Sequence, residues 1–159
     1  MVLKNIPLSF VLILLFVSAC DSTKKTENNY VQYVNPLIGT DFTGNTYPGA
    51  QVPFGMVQLS PDNGLPGWDR IAGYFYPDST IAGFSHTHLS GTGAGDLYDV
   101  SFMPVTLPYR EAPQPLGIYS SFSHDDESVS AGYYQVLLKD YGIHVELTAT
   151  ERKRRLRFF

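Results

Sequence analysis

The sequence predicts an all-β fold, an antiparallel β-sandwich, on three observations. Aromatic and turn-forming residues abound while charges are scarce. The 159 residues include 11 Tyr, 10 Phe, 1 Trp, 14 Gly and 11 Pro, and only 16% are charged, against about 25% in typical soluble domains. No stretch after Cys20 sustains a 3.6-residue apolar period, whereas period-two runs recur. Those runs are short and are separated by turn clusters, the pattern of a sandwich rather than of βαβ units. Together these features exclude a disordered chain, a coiled coil and a helical bundle. A formal net charge of −4 argues against a nucleic-acid partner, which calls for a basic stripe.

The elements follow in chain order. Tyr30 to Val34 reads as a strand closed by Asn35-Pro36. Val52 to Leu59 holds an apolar run that stops at the turn cluster Ser60-Pro61-Asp62-Asn63-Gly64. Gly73 to Tyr76, the turn Pro77-Asp78-Ser79 and Thr80 to Phe84 predict a hairpin. Val100 to Leu107 is apolar, and Pro104 marks it as an edge strand or a bulge. Tyr133 to Leu138 and Tyr141 to Thr148 flank a turn at Lys139-Asp140. On the second of these runs Ile143, Val145 and Leu147 share one face and His144, Glu146 and Thr148 the other. Sandwiches of this kind often exceed about 200 residues, so the stretch from Tyr30 onward predicts an incomplete one.

Both ends differ from the middle. Lys4 and the run Phe10 to Val17 form the charged and apolar regions of a secretory signal, too short to span a membrane. Val17-Ser18-Ala19-Cys20 resembles a bacterial lipobox, so residues 1–19 are expected to be a lipoprotein signal peptide. Cys20 would then be the lipidated mature N-terminus, and two or three acyl chains give a stable membrane anchor. It is the only cysteine, so no intrachain disulfide is possible. Residues 20–29 are polar and aperiodic, as in a flexible tether. At the other end, Arg152, Lys153, Arg154, Arg155 and Arg157 crowd the last eight positions. Asp21 to Glu151, by contrast, carries 5 basic against 15 acidic residues. Residues 152–159 therefore read as an aberrant basic tail, expected from a frameshift or premature end of the reading frame.

Chemistry concentrates in the loops. In Ser85-His86-Thr87-His88 an extended backbone points His86 and His88 the same way. A metal would need further ligands and no cysteine is available, so a hydrogen-bonded pair at a loop base is the favoured reading. Gly91, Gly93 and Gly95 lack phosphate-loop spacing and no helix follows, which excludes a nucleotide site. Trp68, followed by Asp69 and Arg70 in a Gly/Pro loop, fits two roles: a flat platform for a sugar ring, or a core anchor. Carboxylates cluster at Asp96/Asp99 and at Asp125-Asp126-Glu127, the latter reading as a solvated turn. Sequence spacing alone identifies no catalytic pair.

Taken together, several of these stretches resemble glycoside hydrolase family 92. They are Val34 to Thr40, Tyr47 to Asp62, Gly73-Tyr74, Ile81 to Asp96 with its Gly-Phe-Ser-His-Thr-His-Leu-Ser-Gly-Thr-Gly core, and Gly132 to Tyr134 through to Thr148 to Arg152. The resemblance implies exported exo-α-mannosidases with a galactose-mutarotase-like N-terminal β-sandwich and a C-terminal (α/α)6 barrel. It implies a calcium-dependent, inverting site between the two, with the acid, the base and the calcium ligands on the barrel. Residues 30–151 would then be a partial N-terminal sandwich, inactive without the missing C-terminal catalytic domain and binding no metal itself. Gly39, Thr40, Trp68 and Asp69 are expected to meet α-mannosides or N-glycans. His86 and His88 are expected to wall the pocket or the domain interface. A stand-alone, glycan-binding surface lipoprotein without catalysis is the alternative.

Overall fold

The structure, a computed structural model, describes residues 29–91, 99–108, 111–112 and 117–159. The predicted signal peptide, Cys20 and most of the predicted tether, together with Gly93, Gly95 and Asp96, lie outside them. Ten short strands occur among the described residues, and every pairing between them is antiparallel. They are β1 (Ser60–Asp62), β2 (Thr80–Ile81), β3 (Gly83–Ser85), β4 (Glu111–Ala112), β5 (Gly117–Ile118), β6 (Ser120–Ser121), β7 (Glu127–Ser130), β8 (Tyr133–Leu138), β9 (Ile143–Ala149) and β10 (Arg154–Phe158). A sheet of order β10-β9-β8-β7 is accompanied by the ribbons β1-β3, β2-β6 and β4-β5.

The sheet forms as its alternation dictates. Tyr134, Val136 and Leu138 of β8 are buried and lie opposite Leu147, Val145 and Ile143 of β9. This inner face packs in one core with Ala50, Leu59, Tyr74, Ile81, Phe84 and Phe122 from the ribbons and loops. β9 starts two residues later than its sequence pattern suggests. Gly142, at φ +66°, takes the left-handed conformation that lets its N–H donate to Leu138 O at 2.8 Å, and the turn consumes Tyr141.

Several expectations are corrected. Residues 152–159 do not hang off the fold. Arg154–Phe158 pairs with β9 in full register, Leu156 is half-buried, and the arginines lie along the sheet edge, where charge discourages strand addition. Tyr30–Tyr33 is a 3-10 turn rather than a strand, because the Asn29 side chain accepts from the Val31 N–H at 3.2 Å. The predicted turn at Ser60-Pro61-Asp62 is strand β1. Proline is tolerated there because Phe84, opposite it, exchanges both backbone hydrogen bonds with Phe102 on its other side, at 2.8 and 3.0 Å. The hairpin over residues 73–84 does not form either, since β2 pairs with β6 and β3 with β1. Buried Asn63 takes its place, accepting from Phe75 N–H at 2.5 Å and donating to Thr80 O at 2.7 Å. The apolar run 100–107 makes a single bridge, Phe102 to Phe84.

Candidate functional site

The loop bearing Trp68 is braced from below. Gly67 adopts φ +154°, and the 3-10 turn Trp68–Arg70 follows, with Arg70 N–H donating to Gly67 O at 3.1 Å. The Arg70 guanidinium grips Asp78 through Nε at 2.6 Å and a second nitrogen at 2.5 Å, and lies over the Phe75 ring at 4.7 Å. That carboxylate pushes the already high Arg70 pKa further up, so the fork stays charged. On this base Trp68 is 74% exposed and Asp69 is exposed beside it. The core-anchor role is thereby removed. A cavity of about 350 Å³ adjoins the loop, lined by Asp62, Gly64, Leu65, Pro66, Arg70 and Ser101 among others.

Gly39 and Thr40 are built into a tight turn. Gly39 sits at φ +85°, and a Cβ there would lie 2.9 Å from Thr46, so only glycine fits. Thr40 is buried, and its hydroxyl donates to Leu37 O at 2.9 Å. Its contribution to any site is therefore through shape, not through a free hydroxyl.

His86 and His88 are both buried but are spent on different partners. The His86 Nδ1 contacts Val100 O, its ring meets Phe102 edge-on at 5.3 Å, and burial pulls its pKa down. His88 places Nδ1 2.7 Å from Gln58 O and Nε2 2.9 Å from Asp62 Oδ1 and 3.2 Å from Ser85 Oγ. The pair does not converge on one point. No group of three or more His, Cys, Asp or Glu side chains suited to a metal occurs among the described residues.

Two depressions lie near the predicted residues. The loop that carries Trp68 and Asp69 lines the 350 Å³ cavity with Gly64, Leu65, Pro66 and Arg70, not with Trp68 or Asp69. The Gly39-Thr40 turn and the histidine segment border a second one of about 610 Å³, through their neighbours Ile38, Thr46 and Ser90. The Gly91 N–H donates to Asn45 O at 2.7 Å and ties turn to segment. Asp62 stands on the seam: it lines the smaller cavity and bonds His88, while its Oδ2 is buried without a partner among the described residues.

Sequence reasoning missed the second carboxylate centre. Glu127 is not in a solvated turn. It opens β7 with its side chain 2% exposed. Tyr74 Oη (3.0 Å) and Tyr134 Oη (2.7 Å) donate to it, and His124 Nδ1 stands 2.7 Å from Oε2. Burial, and then the Glu127 charge, raise both phenol pKa values, so the hydroxyls remain donors. The only local hint is the His124-to-Glu127 spacing, since Tyr74 lies 53 residues away in sequence. With both carboxylate oxygens partnered, this centre ties the sheet to the loop that carries Tyr74.

Comparison with known proteins agrees with this architecture. A sequence model described as the glycosyl hydrolase family 92 N-terminal domain matches residues 33–158, β10 included. The family GH92 α-mannosidase BT3965 of Bacteroides thetaiotaomicron, solved with mannoimidazole, superposes with a TM-score of 0.75 at 47% identity, covering 80% of this chain and 18% of that one. The GH92 inverting mannosidase BT2199 of the same organism gives 0.63 at 32% identity, over 81% of this chain and 18% of its own. An uncharacterized secreted glycosidase of Arthroderma benhamiae is 31% identical over 135 residues, 79% of this chain and 16% of the relative. The chain thus spans less than a fifth of the length of these relatives. It belongs to glycosyl hydrolase family 92, of which it carries the N-terminal domain.

Proposed function

We propose that this domain is the carbohydrate-facing N-terminal portion of an exported, inverting α-mannosidase acting on mannose-containing glycans. The observation that carries the reading is Trp68. A tryptophan is normally kept largely from water, yet the only one in the chain is 74% exposed on a loop braced by a bidentate ion pair. Its apolar face suits the C–H face of a pyranose, while Asp69 alongside can accept from hydroxyls. The domain's share of the chemistry is to bind and orient the sugar and exclude water from one side. Protonation of the leaving oxygen and activation of water by two carboxyl groups fall to the rest of the enzyme. The calcium implied by the family resemblance is assigned to that remainder as well, and no step passes through it in this domain.

Export fits the secreted description of the Arthroderma relative. No helix among the described residues is long and apolar enough to cross a membrane. Membrane attachment is assigned to a lipid on Cys20 because Val17-Ser18-Ala19-Cys20 has the lipobox pattern. Labelled fatty acid should be incorporated by the chain and not by Cys20→Ala. In the mannosidase that contains this domain, Trp68→Ala should lower kcat/KM on a mannobioside about tenfold through loss of the aromatic platform. An unchanged kcat/KM contradicts the reading.

A further inference from the structure

The chain carries its charge unevenly, and the fold turns that into a surface. Arg152, Lys153, Arg154, Arg155 and Arg157 all lie on the β9–β10 hairpin, and all are exposed. The hairpin is closed by Thr150 N–H to Lys153 O at 2.6 Å and by Lys153 N–H to Thr150 Oγ1 at 3.1 Å. Arg157 pairs with Glu146 at 3.3 Å, and Arg154 lies over the Phe102 ring at 5.7 Å. Arg152, Lys153 and Arg155 have no ion-pair partner among the described residues.

An apolar turn is fastened to this hairpin. Phe54 is wholly exposed and sits at φ +58°, a conformation unfavourable for a bulky residue, and Met56 is exposed beside it. Neither belongs to the core. Gly55 N–H donates to Val52 O at 2.9 Å, and Met56 N–H donates to Glu151 O at 3.0 Å. Val52 and Pro53 share one open depression of about 840 Å³ with Thr150, Glu151, Arg152 and Lys153. On the other side of the turn, exposed Val34 and Ile38 line the 610 Å³ cleft together with Phe54. Tyr30 and Tyr33, in the 3-10 turn that leads into Val34, are exposed as well.

We propose that Phe54 and Met56, with the cations Arg152, Lys153 and Arg155, form a docking surface for a bilayer bearing anionic headgroups. The proposal rests on the lipid on Cys20 for proximity. The ten residues from Cys20 to Asn29 reach at most about 35 Å, so the Tyr30 end of the domain stays near the bilayer. The anchor holds the chain to the membrane, and the patch decides which face turns toward it. Each Lys or Arg near an anionic surface favours binding about fivefold. The remainder of the chain, with 5 basic against 15 acidic residues over Asp21 to Glu151, is repelled. Phe54 and Met56 suit the boundary between headgroups and acyl chains. Glu151 is the one acidic residue lining the depression, so the patch keeps a net positive charge.

The test is flotation of the chain from Asp21 onward, which bears no lipid, with vesicles of phosphatidylcholine alone or mixed with phosphatidylglycerol. The buried core runs from Ala50 to Leu147, so this chain keeps it whole. Binding should require the anionic lipid and weaken with added salt. Arg152→Gln combined with Lys153→Gln should weaken it about twentyfold. Phe54→Asn, which tolerates the left-handed backbone, should weaken it about tenfold. Unchanged thermal melts report that the variants stay folded. Equal binding to neutral vesicles, no binding, or binding indifferent to these substitutions overturns the proposal. So does flotation of this chain but not of the intact mannosidase, which would give the patch to the rest of the enzyme. Fatty-acid labelling at Cys20 is read separately, so a failed anchor and a failed patch are told apart.

Discussion

The sheet β7–β10 and the loop-rich segment from Asn35 to Gly91 are stabilised by different means. In the sheet, hydrophobic alternation does the work: every second residue of β8 is buried, and the facing Val145 and Leu147 are buried with it. In the loop-rich segment, isolated polar residues hold distant backbone together. Asn63 reaches Phe75 and Thr80, Arg70 reaches Asp78, and His88 reaches Gln58 and Asp62. The first arrangement is redundant and insensitive to any one polar change. The second places strained and exposed groups such as Gly39, Phe54 and Trp68 where a ligand can meet them.

Substitutions in the two regions should break the comparison in different ways. Leu147→Ala empties part of the sheet core and should cost about 3–4 kcal/mol, read as a lower urea midpoint for the whole domain. A loss below about 1 kcal/mol would show that sheet and loops do not share one core. Asn63→Ala leaves the Phe75 N–H and the Thr80 carbonyl without partners and should cost about 2–3 kcal/mol despite removing little apolar surface. Asp78→Asn weakens the brace under Trp68 and should cost about 1–2 kcal/mol. It should also speed amide exchange at residues 67–70 while leaving the sheet protected, whereas uniform exchange would deny the loops their separate brace.

The smallest effect is one of pH. Burial, with the Arg154 charge as a lesser cause, lowers the His86 pKa in the folded state. The unfolded chain therefore takes up the proton first. Stability should be complete above the ordinary histidine value of about 6.5 and should decline as pH falls below it. His86→Gln should flatten that decline in thermal melts across pH 7 to 5, and an unaltered slope would assign it to another group.

The difference between the regions also sets what was legible in the sequence. The β8–β9 hairpin could be read because period-two alternation over Tyr133 to Thr148 is a local signal. The β10 strand was obscured because its arginines mimic a tail when counted as charge, yet they flank a half-buried Leu156 along a sheet edge. β1 was hidden by Pro61, whose missing donor is harmless only because Phe84 turns to Phe102, 41 residues from the proline. At the site, Gly39 and Trp68 were named through the family resemblance, since residue type alone left Trp68 between a sugar platform and a core anchor. Its exposure could not be read locally, because it depends on the Arg70–Asp78 brace and on long-range contacts such as Asp62 to His88 across 26 residues. Glu127 was misread for the same reason, since its partner Tyr74 comes from another element.

The account rests most heavily on Trp68 being a sugar platform, and the chain offers a direct probe, since this is its only tryptophan and it faces solvent. Titration with methyl α-mannoside should shift its fluorescence emission to the blue and saturate in the millimolar range, about −4 kcal/mol, as befits one wall of a site. Emission unchanged at saturating sugar, from a protein whose melting curve shows it folded, would contradict the account.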